Sequence, residues 1–183
     1  MKPTPLRIAS LVFLLALALH GHLFGQAQEI PTQPIPAGAT YELGFSPGGT
    51  ALAVALHAIQ IANHRIVVAA YEFTSRPIAK ALIAAAARGV QVAIVADYKA
   101  SLERYSVVPT LEQNGIVVRR DRHYAIMHNK YMVIDGQDLE TGSFNYTSAA
   151  VEHNAENALL LLDVPELAAQ YAAEWQRLWN ESQ

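Results

Sequence analysis

The chain contains the run His128-Asn129-Lys130, then Asp135, then Gly142-Ser143-Phe144-Asn145, then Glu156-Asn157. An imidazole, an ammonium, a hydroxyl, a carboxamide and a carboxylate thus fall within 30 residues. An imidazole can attack or shuttle a proton, and a fixed cation with neutral hydrogen-bonding groups can hold developing negative charge. An oxyanion such as a phosphodiester calls for that set. With seven His, four Lys and five Asp in 183 residues, His-x-Lys-x4-Asp is expected by chance only about 0.004 times.

The elements that position these groups follow from the apolar pattern. His128 to Ile134 and Leu139 to Ser143 read as two strands around Asp135-Gly136-Gln137-Asp138, a strong hairpin signal. Side chains alternate along a strand, so His128 and Lys130 are expected on one side, and Ser143 and Asn145 likewise at the end of the neighbouring strand. The same alternation turns Asp135 away and makes it a structural brace. A lone strand histidine is ordinarily structural. A buried unpaired lysine is costly, so Lys130 next to Tyr131–Ile134 favours an anion site. Arg119, Arg120 and Arg122 form the densest basic cluster. They read equally as a solvated loop or as contacts to a phosphate backbone. Trp175 and Trp179 read as core, and His123 and His153 as ordinary exposed histidines.

Upstream, Tyr41–Phe45 is a strand, and Pro47-Gly48-Gly49 leads into a helix over Ala51–Ala62. Arg65–Tyr71, Val90–Ala96 and Ile116–Arg119 are further strands. Between them lie a helix capped by Ser75 and closed by Gly89 and another over Val107–Gln113. Asn157–Leu162 is the last strand, and Asp163-Val164-Pro165-Glu166 resembles a capping box opening a final helix. Strand–helix alternation with continuous apolar strands predicts an α/β fold: a mixed, mostly parallel sheet with helices on both faces.

Composition narrows the chemistry. Zero cysteine excludes disulfides, thiolate metal sites and a cysteine nucleophile. A charged fraction of 16% beside 52% apolar residues argues for a packed domain over disorder. Lys2 and Arg7 precede the apolar run Ile8–Leu19, which is shorter than the roughly 20 residues that span a membrane. This pattern reads as an export signal over residues 1–27, followed by a Pro-bearing linker over 28–40 and one domain over 41–183. Processing would leave eleven basic against sixteen acidic residues, a balance of −5. The expected location is the periplasm or the outside of the cell, with no stable membrane association once the signal is cleaved.

His128-x-Lys130-x4-Asp135 followed by Gly142-Ser143-x-Asn145 resembles the signature of the phospholipase D superfamily. The chain is most similar to the small exported bacterial non-specific endonucleases of that superfamily. Phe45-Ser46-Pro47, Glu140–Asn145, Glu156-Asn157-Ala158 and Trp175-x3-Trp179 carry that likeness. The resemblance implies the phospholipase D-like nuclease fold. Members use two motif copies with two histidines facing one phosphate, whereas this chain has one copy, so the resemblance implies a homodimer with one shared site. It further implies that His128 forms a phosphohistidine while the second His128 protonates the leaving oxygen and then activates water. Lys130 and Asn145 would hold the phosphate oxygens, Ser143 would add a hydrogen bond, and Glu156 would fix an imidazole tautomer. No metal and no cofactor are implied.

Three functions remain open at this point. The leading one is a metal-independent phosphodiesterase cleaving DNA, and RNA as a further substrate, without sequence preference. A phospholipase D acting on lipid headgroups is the second. The third, from a different class, is a non-catalytic module that binds phosphate or nucleic acid.

Overall fold

The structure, a computed structural model, describes residues 30–183. The export-signal segment 1–27 and the first two linker residues lie outside the described residues. Residues 30–39 carry neither helix nor strand, and Ile35–Gln183 forms one compact unit.

Seven strands make one sheet: β1 (Thr40–Ser46), β2 (Arg65–Ala70), β3 (Gln91–Asp97), β4 (Val117–Asp121), β5 (Lys130–Ile134), β6 (Asp138–Gly142) and β7 (Glu156–Leu162). Their spatial order is β1-β7-β6-β5-β2-β3-β4. Helices α1 (Thr50–Ile61), α2 (Arg76–Ala87), α3 (Tyr98–Ser101), α4 (Val108–Gln113), α5 (Ser148–Glu152) and α6 (Pro165–Glu181) connect and cover it. The short helices α3 and α5 carry too few apolar repeats to be visible in the sequence.

The sheet is mixed, as expected, but the expectation of a mostly parallel one needs correction. Only β2–β3 and β3–β4 pair in parallel, and the other four pairings are antiparallel. Five strands do run one way. The two that run the other way, β5 and β7, are interleaved among them, so each makes two antiparallel pairings. The hairpin β5–β6 causes this, because a short turn can only join antiparallel neighbours.

Strands β2, β3 and β5 are buried on both faces, which is why they read as continuous apolar runs. Ile66, Val68, Ile94, Met132 and Ile134 face a core roofed by α1 and α2. Val67, Ala69, Val95, Tyr131 and Val133 face the opposite core under α6. There Trp175 donates its indole N–H to the Val68 carbonyl at 2.9 Å and stacks on Trp179. Ser75 caps α2 by accepting from the Ile78 N–H. Asp163 does not cap α6. It adopts a positive φ of 59°, its carboxylate accepts from Gln137, and Val164 takes the cap position without a side-chain bond.

The β5–β6 turn holds the sheet's central register. Asp135 and Gly136 have φ of 53° and 69°, a left-handed pair that suits Asp-Gly. The Asp135 carboxylate accepts from the backbone N–H groups of Asn63, His64 and Arg65 at 2.8, 2.8 and 2.7 Å. Its own N–H donates to the Arg65 carbonyl. One side chain thereby ties the end of β5 to the start of β2. Burial pushes this carboxyl up, but the three N–H donors outweigh it and leave the pKa below its ordinary value. The stabilisation is therefore present above the unfolded carboxyl's pKa and is lost as pH falls through the folded one. Asp135→Ala should cost about 2–3 kcal/mol, read as a lower urea midpoint with unchanged slope. An unchanged midpoint would show that the turn does not depend on this side chain.

Candidate functional site

Register brings the chemical residues to one end of the sheet. Lys130, the first residue of β5, lies opposite Ala70, the last of β2. Gly142 ends β6 opposite Ala158, and Glu156 begins β7 opposite Ser46. A groove of about 480 Å³ opens there, lined by His128, Lys130, Ser143, Asn145, Glu156 and Tyr171 among others. The site thus lies at the carboxyl ends of β2 and β6 and the amino ends of β5 and β7.

His128 and Lys130 meet in this groove, but not by strand alternation. His128 precedes β5, and Ser143 and Asn145 follow β6. Three contacts replace the alternation. The Asn129 carbonyl accepts the Tyr71 N–H at 3.0 Å, extending the β2–β5 ladder by one rung. The Lys130 ammonium donates to the His128 carbonyl at 2.7 Å and lies 2.9 Å from its Nδ1. The Tyr71 ring packs on the imidazole, centroids 4.6 Å apart, and lies 5.3 Å from the ammonium. His128 itself is exposed. Burial lowers the Lys130 pKa, with the carboxylates of Glu156 and Glu72 opposing.

Ser143 and Glu156 form a braced pair. Ser143 donates to Glu156 Oε2 at 2.6 Å and accepts from the Asn157 N–H at 3.1 Å. Glu156 Oε1 accepts from Asn154 at 3.1 Å. The serine's one proton is thus committed to the carboxylate. Glu156 makes no bond to His128 within this chain, so the expected imidazole contact is not made here. Gly142 permits this geometry, since a Cβ on it would lie 2.2 Å from the Asn157 carbonyl oxygen. Asn145 is half-buried, and its Oδ1 is buried without a hydrogen-bond partner.

The remaining candidates lie elsewhere. Asp135 closes the far end of β5, five residues beyond Lys130, or about 17 Å along a strand. Arg119 donates to the Trp179 carbonyl at 2.8 Å and covers that indole. Arg120 makes a bidentate pair with Glu112 at 2.7 and 2.8 Å, which raises its pKa. These two arginines on β4 are committed to packing, three strands from β5. Arg120 shares the register row of Ala96, Ala70 and Lys130, so it too lies toward the site end of the sheet, beyond which comes Arg122. Arg122 bonds Gln183 and sits over Tyr98. Among the described residues no group of three or more His, Asp or Glu could hold a metal ion. The sequence reading missed Tyr71, whose signal is its place just past the last residue of β2.

Behind the groove is a buried polar pair. Glu140, 1% exposed, accepts from the Tyr146 hydroxyl at 2.7 Å, and Tyr146 is fully buried. The Tyr146 carbonyl accepts the Thr74 and Ser75 N–H groups at 2.9 and 2.8 Å. The residue after Asn145 is therefore anchored at both ends. Burial pushes the Glu140 pKa up to about 7, against the pull of the Tyr146 bond. With the folded pKa above the unfolded one, deprotonation opposes folding. Stability should fall as pH rises from about 5 to about 8, by roughly 3 kcal/mol at most. Glu140→Gln keeps an acceptor for Tyr146 and should remove that slope from urea melts taken across this range. A slope that survives the substitution would assign it to another group.

The sequence from 55 to 179 matches the family described as cardiolipin synthase, PLD-like domain. The chain is 40% identical over 117 residues to a phospholipase D from Rickettsia bellii, covering 64% of this chain and 58% of the relative. It is 31% identical over 153 residues to the mitochondrial cardiolipin hydrolase of Canis lupus familiaris, covering 84% of this chain and 59% of the relative. It thus spans a little under three fifths of these two relatives. The structure superposes on Nuc, a phospholipase D family member from Salmonella typhimurium, with TM-score 0.77 and 39% identity. That match covers 79% of this chain and 97% of the other. NucT from Helicobacter pylori gives TM-score 0.72 at 26% identity, covering 79% of this chain and 98% of the other. Motif, fold and sequence agree, and the chain belongs to the phospholipase D superfamily.

Proposed function

We propose that the protein is a metal-independent phosphodiesterase that cleaves nucleic acid, DNA foremost, at a site shared between two copies. One observation carries this reading: His128, Lys130, Asn145 and Glu156 line one groove, yet that groove holds a single histidine. Breaking a phosphodiester by way of a phosphohistidine takes two proton-handling groups, one to attack and one to protonate the leaving oxygen. A second copy about a two-fold axis supplies the other.

In the first step Nε2 of His128 bonds to phosphorus, and the bond from phosphorus to the leaving oxygen breaks. The imidazolium of His128 of the partner subunit gives that oxygen its proton. The same ring then takes a proton from water, whose oxygen displaces the phosphohistidine. The two rings must differ in protonation, and their titration belongs to the pair. In this chain the ammonium near Nδ1 favours the neutral tautomer with its proton on Nε2, which is neither the imidazolium acid nor the nucleophile. A nucleophilic His128 needs the opposite tautomer, so Lys130 must turn from the ring to a phosphate oxygen when substrate enters. The carboxamide of Asn145 can donate to a second phosphate oxygen through Nδ2.

The outer face of β1 favours the two-copy arrangement. Tyr41, Leu43 and Phe45 are 67%, 49% and 57% exposed on one face of that strand. Leu43 lies opposite Leu159, and Leu159 opposite Thr141, which lines the groove. An apolar face continuous with half a site suits a second copy. A phospholipase D acting on lipid headgroups is the second reading, favoured by the names of the relatives and by the same exposed face. Export through residues 1–27 to the periplasm or beyond belongs to the proposal.

Purified protein should nick plasmid DNA in excess EDTA, and cardiolipin vesicles assayed beside it should be cleaved more slowly. Abolition by EDTA would overturn the metal-free chemistry, and faster lipid cleavage would favour the second reading. His128→Ala should lower the DNA rate by about 10³ or more while binding persists. Adding excess His128→Ala protein to wild type should also depress activity as copies exchange. Unaltered activity after exchange would contradict a shared site.

A further inference from the structure

A second groove, of about 850 Å³, opens between α2 and the loop after α3. Its lining includes Thr74, Arg76, Lys80, Arg104, Tyr105 and Ser148. We propose that this groove binds the backbone of a single nucleic-acid strand running away from the reactive phosphate, with Tyr105 as a stacking platform for a base. The proposal rests on the nuclease reading above and names where the rest of its substrate lies.

The distribution of cations carries it. Among the eleven basic residues described, Arg120 and Arg177 are paired with carboxylates. The side chains of Arg88, Arg119 and Arg122 donate to amide carbonyl oxygens, and Lys130 is in the site. The side chains of Arg65, Arg76, Lys80, Lys99 and Arg104 make neither a hydrogen bond nor an ion pair among the described residues. Three of those five line this one groove, against a single carboxylate, Glu103. In a domain with an acidic balance, uncompensated cations gathered in one concavity mark an anion's path.

The spacing and the aromatic identify the anion. Arg76 and Lys80 lie four residues apart on α2, so they stand on one face. The Arg104 guanidinium lies 5.5 Å from the centroid of the Tyr105 ring, and that ring is 73% exposed. A basic groove that offers an aromatic face is the usual arrangement for a single strand bound without sequence preference. Lipid headgroups would use the cations but not the ring face.

Two chain segments join the groove to the site. Tyr71, which packs on His128, is three residues before Thr74. Asn145 is three residues before Ser148. Three residues reach at most about 10 Å, so the next few nucleotides from a phosphate at His128 fall within the groove. The segments are bonded to each other through the Tyr146 carbonyl and the Thr74 and Ser75 N–H groups.

The test uses the His128→Ala protein, which should not cut its ligand, and a fluorescent oligothymidylate titrated at several salt concentrations. Adding Arg76→Gln, Lys80→Gln and Arg104→Gln should lower the slope of log affinity against log salt by about 2, near 0.7 for each lost contact. Tyr105→Ala should weaken binding roughly tenfold with little change in that slope. Because Tyr105 is largely exposed, this second variant tests the groove even if the triple variant fails to fold. Arg65→Gln, at the opposite end of β2, should leave both quantities unchanged. Unchanged slope and affinity in the groove variants, with wild-type DNA cleavage intact, would overturn the groove and leave the nuclease reading standing. Loss of binding to anionic vesicles but not to the oligonucleotide would also overturn it. Wild-type protein that binds the oligonucleotide through these residues but cuts no DNA would overturn the nuclease reading instead.

Discussion

The register of β5 on β2 is the constraint on which the site depends. Asp135 pins one end by accepting three N–H groups from residues 63–65. The opposite end is closed by Tyr71 N–H to the Asn129 carbonyl. Between them the strand is five residues long. The spacing from Lys130 to Asp135 is therefore the length of the strand that carries the cation. A slip of one residue would exchange its two faces, putting Met132 and Ile134 where Tyr131 and Val133 now pack. It would also move Lys130 out of line with Ala70 and His128 off Tyr71. In this view the signature is one mechanical device, with chemistry at one end and its anchor at the other.

Strands β2, β3 and β5 were legible in the sequence because burial on both faces leaves an unbroken apolar run. Asp135 was legible as a brace because Asp-Gly marks a turn. His128 and Lys130 were rightly brought together, but for an incomplete reason. Strand alternation does not reach His128, and loop contacts through Asn129 and Tyr71 do the positioning. Tyr71 was missed because its role arises from a partner some 57 residues away in sequence. The parallel share was overstated because local patterns do not reveal how distant strands interleave. The capping box failed because Asp163 is drawn into the β6–β7 end, where its N–H donates to Asp138.

Charge shows a similar divergence between composition and structure. The basic cluster most visible in the sequence, Arg119–Arg122, is largely spent on Trp179, Glu112 and Gln183. Among the described residues five cations make neither a hydrogen bond nor an ion pair, and folding collects three of them, Arg76, Lys80 and Arg104, in one groove. An acidic protein can thus present a local path for a polyanion. The exposed face of β1 has a comparable origin. Three apolar residues at alternate positions look like half of a buried pattern, and α6, which packs over β2 to β6, leaves that face for something else to cover.

The central claim is that one phosphate is processed by two copies, with His128 as the nucleophile of one. Rapid acid-free quenching of a reaction with labelled oligonucleotide, followed by mass analysis of the protein, tests it most directly. The account predicts a fragment of the cleaved oligonucleotide joined through its phosphate to the peptide containing His128, reaching one adduct for every two chains. An adduct on another residue, or one on every chain, would contradict it.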